Sequence, residues 1–176
     1  MVTNKINPDP PDPDDSTVYA GTTPPETIAD NLDAFSNVAL STPSVPWPGS
    51  TFVIRSVSCG RVLTLLDGKI VLAHRDNRGS IHWVCMETEG WLGFRNPVSG
   101  KYLGYSNNGT LCCSVEWQRE HEHFTVRPMQ EEGYVLLMTR RGSLRAVGIK
   151  EANGMECLAT INEGVSGGLV WEFIKV

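Results

Sequence analysis

The amino-acid sequence predicts an all-β domain built from three similar repeats. Three glycines, Gly60, Gly100 and Gly142, stand 40 and 42 residues apart, and each lies between two short apolar runs. Beyond Thr51 no long segment keeps the 3.6-residue period of an amphipathic helix. Evenly spaced turn glycines between short apolar runs are typical of a repeated β-structure.

The same alternation precedes each of these glycines and indicates the first strand of each repeat. An apolar residue stands eight positions before the glycine, and a second one follows two positions later. Both therefore lie on one face of a strand. The pairs are Phe52 with Ile54, Leu92 with Phe94, and Tyr134 with Leu136.

A second turn and a large aromatic residue complete each repeat. The turn is an Asp-Gly or Asn-Gly dipeptide, typical of a tight hairpin, and its glycines are Gly68, Gly109 and Gly154. The aromatic residue of the last strand follows 15 to 17 positions later, at Trp83, Phe124 and Trp171. The sequence thus predicts four strands in each repeat, at about 51–90, 91–133 and 134–176.

Three four-stranded repeats of this length resemble a β-trefoil, in which six strands close a short barrel and three hairpins cap one end. Closure removes the edge strands that favour aggregation, and one repeat alone could not bury its apolar face. A β-sandwich is the alternative, but it does not predict matched turn glycines at this period. The residues expected in the core are Leu63, Leu103, Trp83, Phe124 and Trp171.

Residues 1–48 differ in composition from the rest of the chain. They hold nine of the 11 prolines, and six aspartates and one glutamate stand against a single lysine. Because proline fixes φ and removes a backbone donor, we expect a mostly disordered acidic tail before a β-trefoil at 49–176. Segment 24–40 could form a short helix, either transient or docked on the trefoil. The following STPSVPWPGS has the composition of a linker, with Trp47 as its expected anchor.

Charge, hydropathy and cysteine content indicate the class of partner and the cellular compartment. The net charge of -5 gives no reason to expect binding to nucleic acid or to an anionic membrane. No apolar run reaches the length of about 20 residues that spans a bilayer, and the N-terminus lacks the apolar stretch of a secretory signal. Five cysteines without a CxxC spacing indicate free thiols. We therefore expect a cytoplasmic protein.

The repeats carry a motif that resembles the fascin-like branch of β-trefoil proteins. It consists of Gly-Lys/Arg-Tyr/Val-Leu, then Asp/Asn-Gly-X-Leu/Ile, then an aromatic residue. The best match is SGKYLGYSNNGTL, which begins at Ser99 and is followed by Phe124, and the resemblance covers 51–176. The third repeat departs from it, with a longer turn and no aromatic residue after its glycine. The resemblance implies a non-catalytic module whose loops bind a protein or a small ligand. Fascins join several trefoils to bundle actin, an activity that one short trefoil does not imply.

Two other branches of the fold match less well. Ricin-type lectins carry Gln-X-Trp on the last strand of a repeat, whereas the matching tripeptides here are IHW, EHF and LVW. Trefoils that resemble fibroblast growth factors bind heparin through basic clusters of a kind that this chain lacks.

All four histidines lie in the loops before the last strands of the first two repeats, and we predict the ligand site there. Threefold symmetry brings these loops to equivalent positions around one axis. The predicted ligand-binding residues are His74, Arg75, His82, Trp117, Arg119, His121 and His123. Two ordinary solvated loops are the alternative. On a strand, His121 and His123 would face the same side and could ligate a metal. A third ligand would have to come from Glu116 or from another repeat, and we expect no metal.

A small-molecule enzyme stays open as a second class of function. The chain has no nucleophile elbow, Walker loop, dinucleotide fingerprint or zinc spacing, and no cofactor is expected. A metal-free cyclase or isomerase would need only a cavity with one or two polar groups. One local basic cluster, Arg140, Arg141 and Arg145, is either a solvated turn or a contact for acidic groups of the tail or of a partner.

Limited proteolysis of the full chain tests the predicted boundary near residue 48. We expect the first cuts within 1–48, because a proline-rich acidic segment cannot bury enough apolar surface to order itself. Mass spectrometry of the fragments locates the cuts. A first cut inside 49–176, with the tail intact, would contradict the prediction.

Overall fold

The structure is a computed structural model that describes residues 44–76, 78–130, 133–152 and 154–176. The predicted helix at 24–40 and the acidic tail up to residue 43 lie outside these ranges. In the first repeat the strands are β1 Thr51–Ser56, β2 Val62–Leu66, β3 Lys69–Ala73 and β4 His82–Thr88. In the second they are β5 Trp91–Arg95, β6 Tyr102–Tyr105, β7 Leu111–Val115 and β8 Phe124–Pro128. In the third they are β9 Tyr134–Arg140, β10 Ser143–Ala152, β11 Met155–Thr160 and β12 Val170–Lys175.

Six of these strands close a barrel. Antiparallel pairing joins them in the ring β1, β4, β5, β8, β9, β12 and back to β1. The other six form the hairpins β2–β3, β6–β7 and β10–β11, whose second strands contact one another and so form a cap. The predicted all-β trefoil is confirmed.

The three repeated glycines share one backbone conformation. Gly60, Gly100 and Gly142 have φ values of 68°, 71° and 73°, in the left-handed region where a residue with a Cβ is strained. In the first two repeats the turn is closed by matched hydrogen bonds: the amide of Gly60 donates to Ser56 O and that of Gly100 to Asn96 O, both at 2.9 Å. The glycine spacing in the sequence therefore reflects a backbone requirement of the turn.

Large side chains fill the barrel interior. The five residues predicted for the core, Leu63, Leu103, Trp83, Phe124 and Trp171, are all 0% exposed. Phe94 packs edge-on against Phe124, with ring centroids 5.3 Å apart, and stacks on Phe173 at 5.7 Å. The aromatic residues of different repeats thus meet in one apolar core.

Pro46, rather than Trp47, anchors the segment before β1. Pro46 is buried, whereas Trp47 is 71% exposed. The amide of Ser50 donates to Trp47 O at 3.2 Å, so Trp47 opens a turn, and its side chain lies outside the core. The prediction of Trp47 as the anchor is therefore wrong.

Among the described residues, two single-turn 3₁₀ helices lie between strands, at Glu120–Glu122 and Val165–Gly167. Each occupies the segment before the last strand of its repeat. Within the described ranges, no helix has the length and apolar character that crossing a membrane requires.

Truncation of Phe124 tests the shared aromatic core. Phe124→Ala should lower the free energy of unfolding by about 3–5 kcal/mol, because it removes a fully buried ring and leaves a cavity. Urea denaturation measures the change. Val98→Ala is the control, since Val98 is 81% exposed, and it should shift the same quantity by less than about 0.5 kcal/mol. Similar losses in both variants would contradict the packing described here.

Candidate functional site

The segment before β8 contains the two histidines that the sequence analysis paired, and it folds as a 3₁₀ helix. The amide of Glu122 donates to Arg119 O at 2.8 Å, and that of His123 donates to Glu120 O at 3.4 Å. The expectation that His121 and His123 face one side of a strand is therefore wrong. Helical rotation sends the two imidazoles to different aromatic neighbours.

Each histidine stacks on an aromatic ring from the first or second strand of the same repeat. The ring of His121 lies on Tyr105 of β6, with centroids 4.4 Å apart and planes at 25°. The ring of His123 lies on Trp91 of β5, with centroids 5.6 Å apart and planes at 3°. Because these stacks point to separate grooves, the pair does not form one ligand set.

A buried carboxyl group fixes the 3₁₀ helix to β6. Glu122 is 5% exposed, and its Oε2 accepts a hydrogen bond from the Arg119 amide at 3.1 Å. Its side chain fits because β6 carries Gly104 at the contact: a Cβ there would lie 2.6 Å from Glu122 Oε1 and 3.0 Å from His121 O. Burial raises the pKa of Glu122, although the hydrogen bond from Arg119 acts in the opposite direction.

The other side of the helix is held by β9. The hydroxyl of Thr139 donates to Glu120 O at 3.0 Å, and the hydroxyl of Tyr105 donates to Thr139 O at 2.7 Å. These contacts place Glu120 between the second and third repeats, where two grooves open on the surface.

The first groove has one aromatic wall, and its volume is about 390 Å³. The Trp91–His123 stack forms the aromatic wall, and Glu120 lies beside it. The remaining wall comes from β9 and the turn into β10. The lining residues are Trp91, Glu120, His123, Thr139, Gly142, Ser143 and Leu144.

A neighbouring amide side chain holds Trp91 in place. Gln118 Nε2 donates to Trp91 O at 2.9 Å, and Gln118 Oε1 accepts from the Thr88 hydroxyl at 3.0 Å. Gly93, two residues along β5, makes room for this amide, since a Cβ there would lie 2.5 Å from it. In the pattern Trp-Leu-Gly, Trp91 therefore lines the groove, and the glycine leaves space for the Gln118 amide that holds Trp91.

The second groove has a volume of about 340 Å³ and is rich in positively charged side chains. Arg140 lies over the Tyr105 ring, 5.7 Å from its centroid, and donates to Thr160 Oγ1 at 3.0 Å and to Asn107 O at 3.1 Å. Burial and the nearby Glu120 carboxylate raise the pKa of Tyr105, although Arg140 opposes them. The lining residues are Tyr105, Asn107, Glu120, His121, Arg140 and Arg141.

The seven predicted site residues do not share one place. His121 and His123 line the two grooves, and Arg119 is the exposed residue that begins the 3₁₀ helix. Trp117 is 71% exposed and lines neither groove. His74, Arg75 and His82 are exposed in the first repeat, and in the described part of the chain no hydrogen bond, ion pair or ring stack joins their side chains to segment 117–123.

Several groove residues were not selected from the sequence. Trp91 and Tyr105 belong to strands, whereas the predicted site consisted of loop residues. Glu120 lies between Arg119 and His121, which were both predicted as site residues, but the sequence did not indicate which side chain faces a groove. A signal for Trp91 was present in its position two residues before Gly93, because an outward aromatic beside a strand glycine indicates close packing of a third group.

The cysteines lie apart from these grooves. All five cysteines are free, and burial raises the pKa of the Cys85 thiol to about 12, with Glu87 adding to the effect. A thiol with so high a pKa is a poor nucleophile. Among the described residues, no group of three or more His, Cys, Asp or Glu side chains is arranged to hold a metal ion.

Solved structures similar to this chain include β-trefoil lectins. A ricin B-like lectin from Macrolepiota procera, in complex with lactose, is 16% identical with a TM-score of 0.56, over 76% of this chain and 100% of the lectin. The Rhizoctonia solani agglutinin is 17% identical with a TM-score of 0.54, over 76% of this chain and 99% of the agglutinin. No protein-family model and no curated protein matches the chain.

An exo-β-1,3-galactanase from Clostridium thermocellum is similar over part of its length. It is 17% identical with a TM-score of 0.59, and the match covers 72% of this chain but 30% of the galactanase. The chain thus spans less than a third of that enzyme. At these identities the likeness shows the fold alone, so the comparisons define a β-trefoil protein, and the fascin-like branch stays a prediction.

The buried Glu122 leads to a prediction about pH. A carboxyl whose pKa is higher in the folded than in the unfolded state stabilises the fold most below its unfolded pKa, and that contribution is lost as the pH rises through its folded pKa. Glu122→Gln cannot ionise. It should therefore lose less stability than wild type as the pH rises above about 4, measured by urea denaturation at a series of pH values.

An exposed carboxyl of the same loop supplies the control for this experiment. Glu116→Gln should keep the pH dependence of the wild type, because Glu116 is exposed. If Glu122→Gln and wild type change in parallel with pH, Glu122 does not titrate as its burial requires.

Proposed function

We propose that this protein is a non-catalytic binding module whose ligand is a saccharide held in the first groove. The observation that carries the proposal is the Trp91–His123 stack beside the Glu120 carboxylate and the Ser143 hydroxyl. A pyranose ring has a face of C–H groups that packs on an aromatic ring, and hydroxyls that need donors and acceptors. A groove with one aromatic wall and a few polar groups suits that combination.

The similar structures and the sequence motifs both support a binding role. Two of the similar proteins are a lectin in complex with lactose and an agglutinin. The fascin-like motifs imply a module that binds a protein or a small ligand through its loops. Among those ligands, the aromatic wall and the hydroxyl and carboxylate groups favour a saccharide.

The filled barrel favours a binding module over the cyclase or isomerase considered from the sequence. Such an enzyme would enclose its substrate in a cavity, where water is excluded from the reacting atoms. Here Trp83, Phe124 and Trp171 occupy the interior with 0% exposure, and the two grooves described above lie on the surface. The cytoplasmic location stays a prediction from the sequence.

A glycan array probed with the labelled full chain tests this proposal, with Trp91→Ala and Trp117→Ala compared on the glycans that wild type binds. Trp91→Ala should weaken binding by about 1–3 kcal/mol, the range of an interface hot spot. Trp117→Ala is the matched control, because Trp117 is a highly exposed tryptophan that lines neither groove, and it should bind like wild type.

The outcomes of that experiment distinguish a ligand in the first groove from one at the Trp117 loop, and a saccharide from another class of ligand. Loss of binding in Trp117→Ala but not in Trp91→Ala would move the ligand to the loop selected from the sequence and overturn the groove. A wild-type chain that binds no glycan would overturn the saccharide class. The unfolding temperature of each variant shows whether a loss reflects the fold instead of the site.

A further inference from the structure

We infer that the saccharide of this site is acidic and that its carboxylate or sulfate group lies in the second groove, between Arg141, Arg140 and His121. The inference rests on the proposed function, because the first groove has to hold the neutral part of the ligand. It assigns a role to the basic turn MTRRGSLR, which the proposed function leaves unexplained.

The two grooves are neighbours along the same structural elements. Glu120 lines both of them. On β9 and the following turn, Thr139 and Gly142 line the first groove, and Arg140 and Arg141, which lie between them in the chain, line the second. A ligand of two sugar units that follows this edge would place one unit on Trp91 and the other beside the arginines.

Arg140 is held in one orientation before any ligand arrives. Its two terminal nitrogens donate to Thr160 Oγ1 and Asn107 O, and its guanidinium lies over the Tyr105 ring. A cation fixed in this way loses little conformational freedom when it meets an anion. Its contacts are with neutral groups, so its positive charge is not cancelled by an ion pair among the described residues.

Arg141 occupies a turn position that usually has another residue type. It has a φ of 51°, and with Gly142 at 73° it forms the two-residue turn between Arg140 and Ser143, which pair across the hairpin. Turns with two positive φ values favour Asn, Asp or Gly at the first position. Arg141 is exposed and, among the described residues, makes no hydrogen bond or ion pair. A charged residue held at a strained position without an internal partner is available for an external one.

The charges of the second groove favour an oxyanion. Arg140 and Arg141 stand against a single acidic lining residue, Glu120. The planar guanidinium donates two parallel hydrogen bonds to a carboxylate or a sulfate, which gives a site for either group. The aromatic wall of the first groove and the two arginines of the second therefore fit a saccharide that carries one such group.

The test uses the full chain and an array with matched sets of glycans: neutral oligosaccharides, the same glycans with a sulfate, and the same glycans with a terminal sialic acid. We expect stronger binding to the acidic members, and this preference should weaken as sodium chloride is raised. The sulfated and the sialylated sets distinguish the two sources of the oxyanion.

Three substitutions separate the second groove from general charge. Arg141→Gln should lower the ratio of acidic to neutral binding by about fivefold, the effect of one exposed charge pair. Glu120→Gln should raise the same ratio, because it removes the acidic lining residue and keeps an oxygen acceptor. Arg127→Gln removes an exposed arginine that lines neither groove, so the ratio should stay as in wild type.

The failure of this inference and that of the proposed function give different results. Equal binding of acidic and neutral glycans by wild type, or an equal drop in Arg141→Gln and Arg127→Gln, would overturn the inference and leave the saccharide function in place. No binding to any glycan would overturn the proposed function itself. If Arg141→Gln does not fold, the rise expected for Glu120→Gln decides the question, and its absence would overturn the inference.

Discussion

Closure of the six-stranded barrel is the constraint on which the rest of this structure depends. The ring closes where β1 pairs with β12 at five positions, from Phe52 with Lys175 to Ser56 with Trp171. Because β1 and β12 are the first and last strands of the described residues, their pairing links the first repeat to the third and closes the ring. Closure also brings the large aromatic side chains of all three repeats into one core, which excludes water and leaves ligand sites to the surface.

Formation of the candidate site depends on a buried carboxyl in the second repeat, since the 3₁₀ helix at the matching position of the third repeat, Val165–Gly167, buries no side chain. In the second repeat the segment before the last strand turns as a 3₁₀ helix, and the Glu122 carboxyl is buried against Gly104. Burial of a carboxyl is unfavourable unless it is hydrogen-bonded, and the Arg119 amide supplies that bond. The helix that results lies between β6 and β9, and it therefore joins the second and third repeats at the surface.

Under the proposed function, the two grooves would each bind a different part of the ligand. An aromatic stack with a nearby carboxylate and hydroxyl suits the ring of a saccharide, while the arginine-rich groove suits an oxyanion. Glu120 borders both, so a ligand that spans them meets an acceptor between a hydrophobic surface and a positive one. Under the proposed function, this arrangement would let the module discriminate between neutral and acidic glycans through charge, since like charges and unpaired charges are disfavoured.

The sequence by itself determined the fold, because each repeat has glycine where the backbone turns with a positive φ and an aromatic residue where the core has to be filled. Gly60, Gly100 and Gly142 occupy positions of positive φ, and the aromatic residues 15 to 17 positions after the hairpin glycines fill the core. Such local requirements are visible as spacing along the chain. The spacing does not show which loop side chains line a groove, because that depends on elements that are distant in sequence.

Only the tertiary structure decided which residues form the candidate site. His121 and His123 were predicted as site residues because they lie in the loop before the last strand of their repeat, yet the 3₁₀ helix rotates them onto Tyr105 and Trp91, which come from different strands. Arg140 and Arg141 belong to the next repeat in sequence, and pairing of β8 with β9 brings them beside Glu120. Strand pairing between repeats creates this juxtaposition, and no spacing within one repeat encodes it.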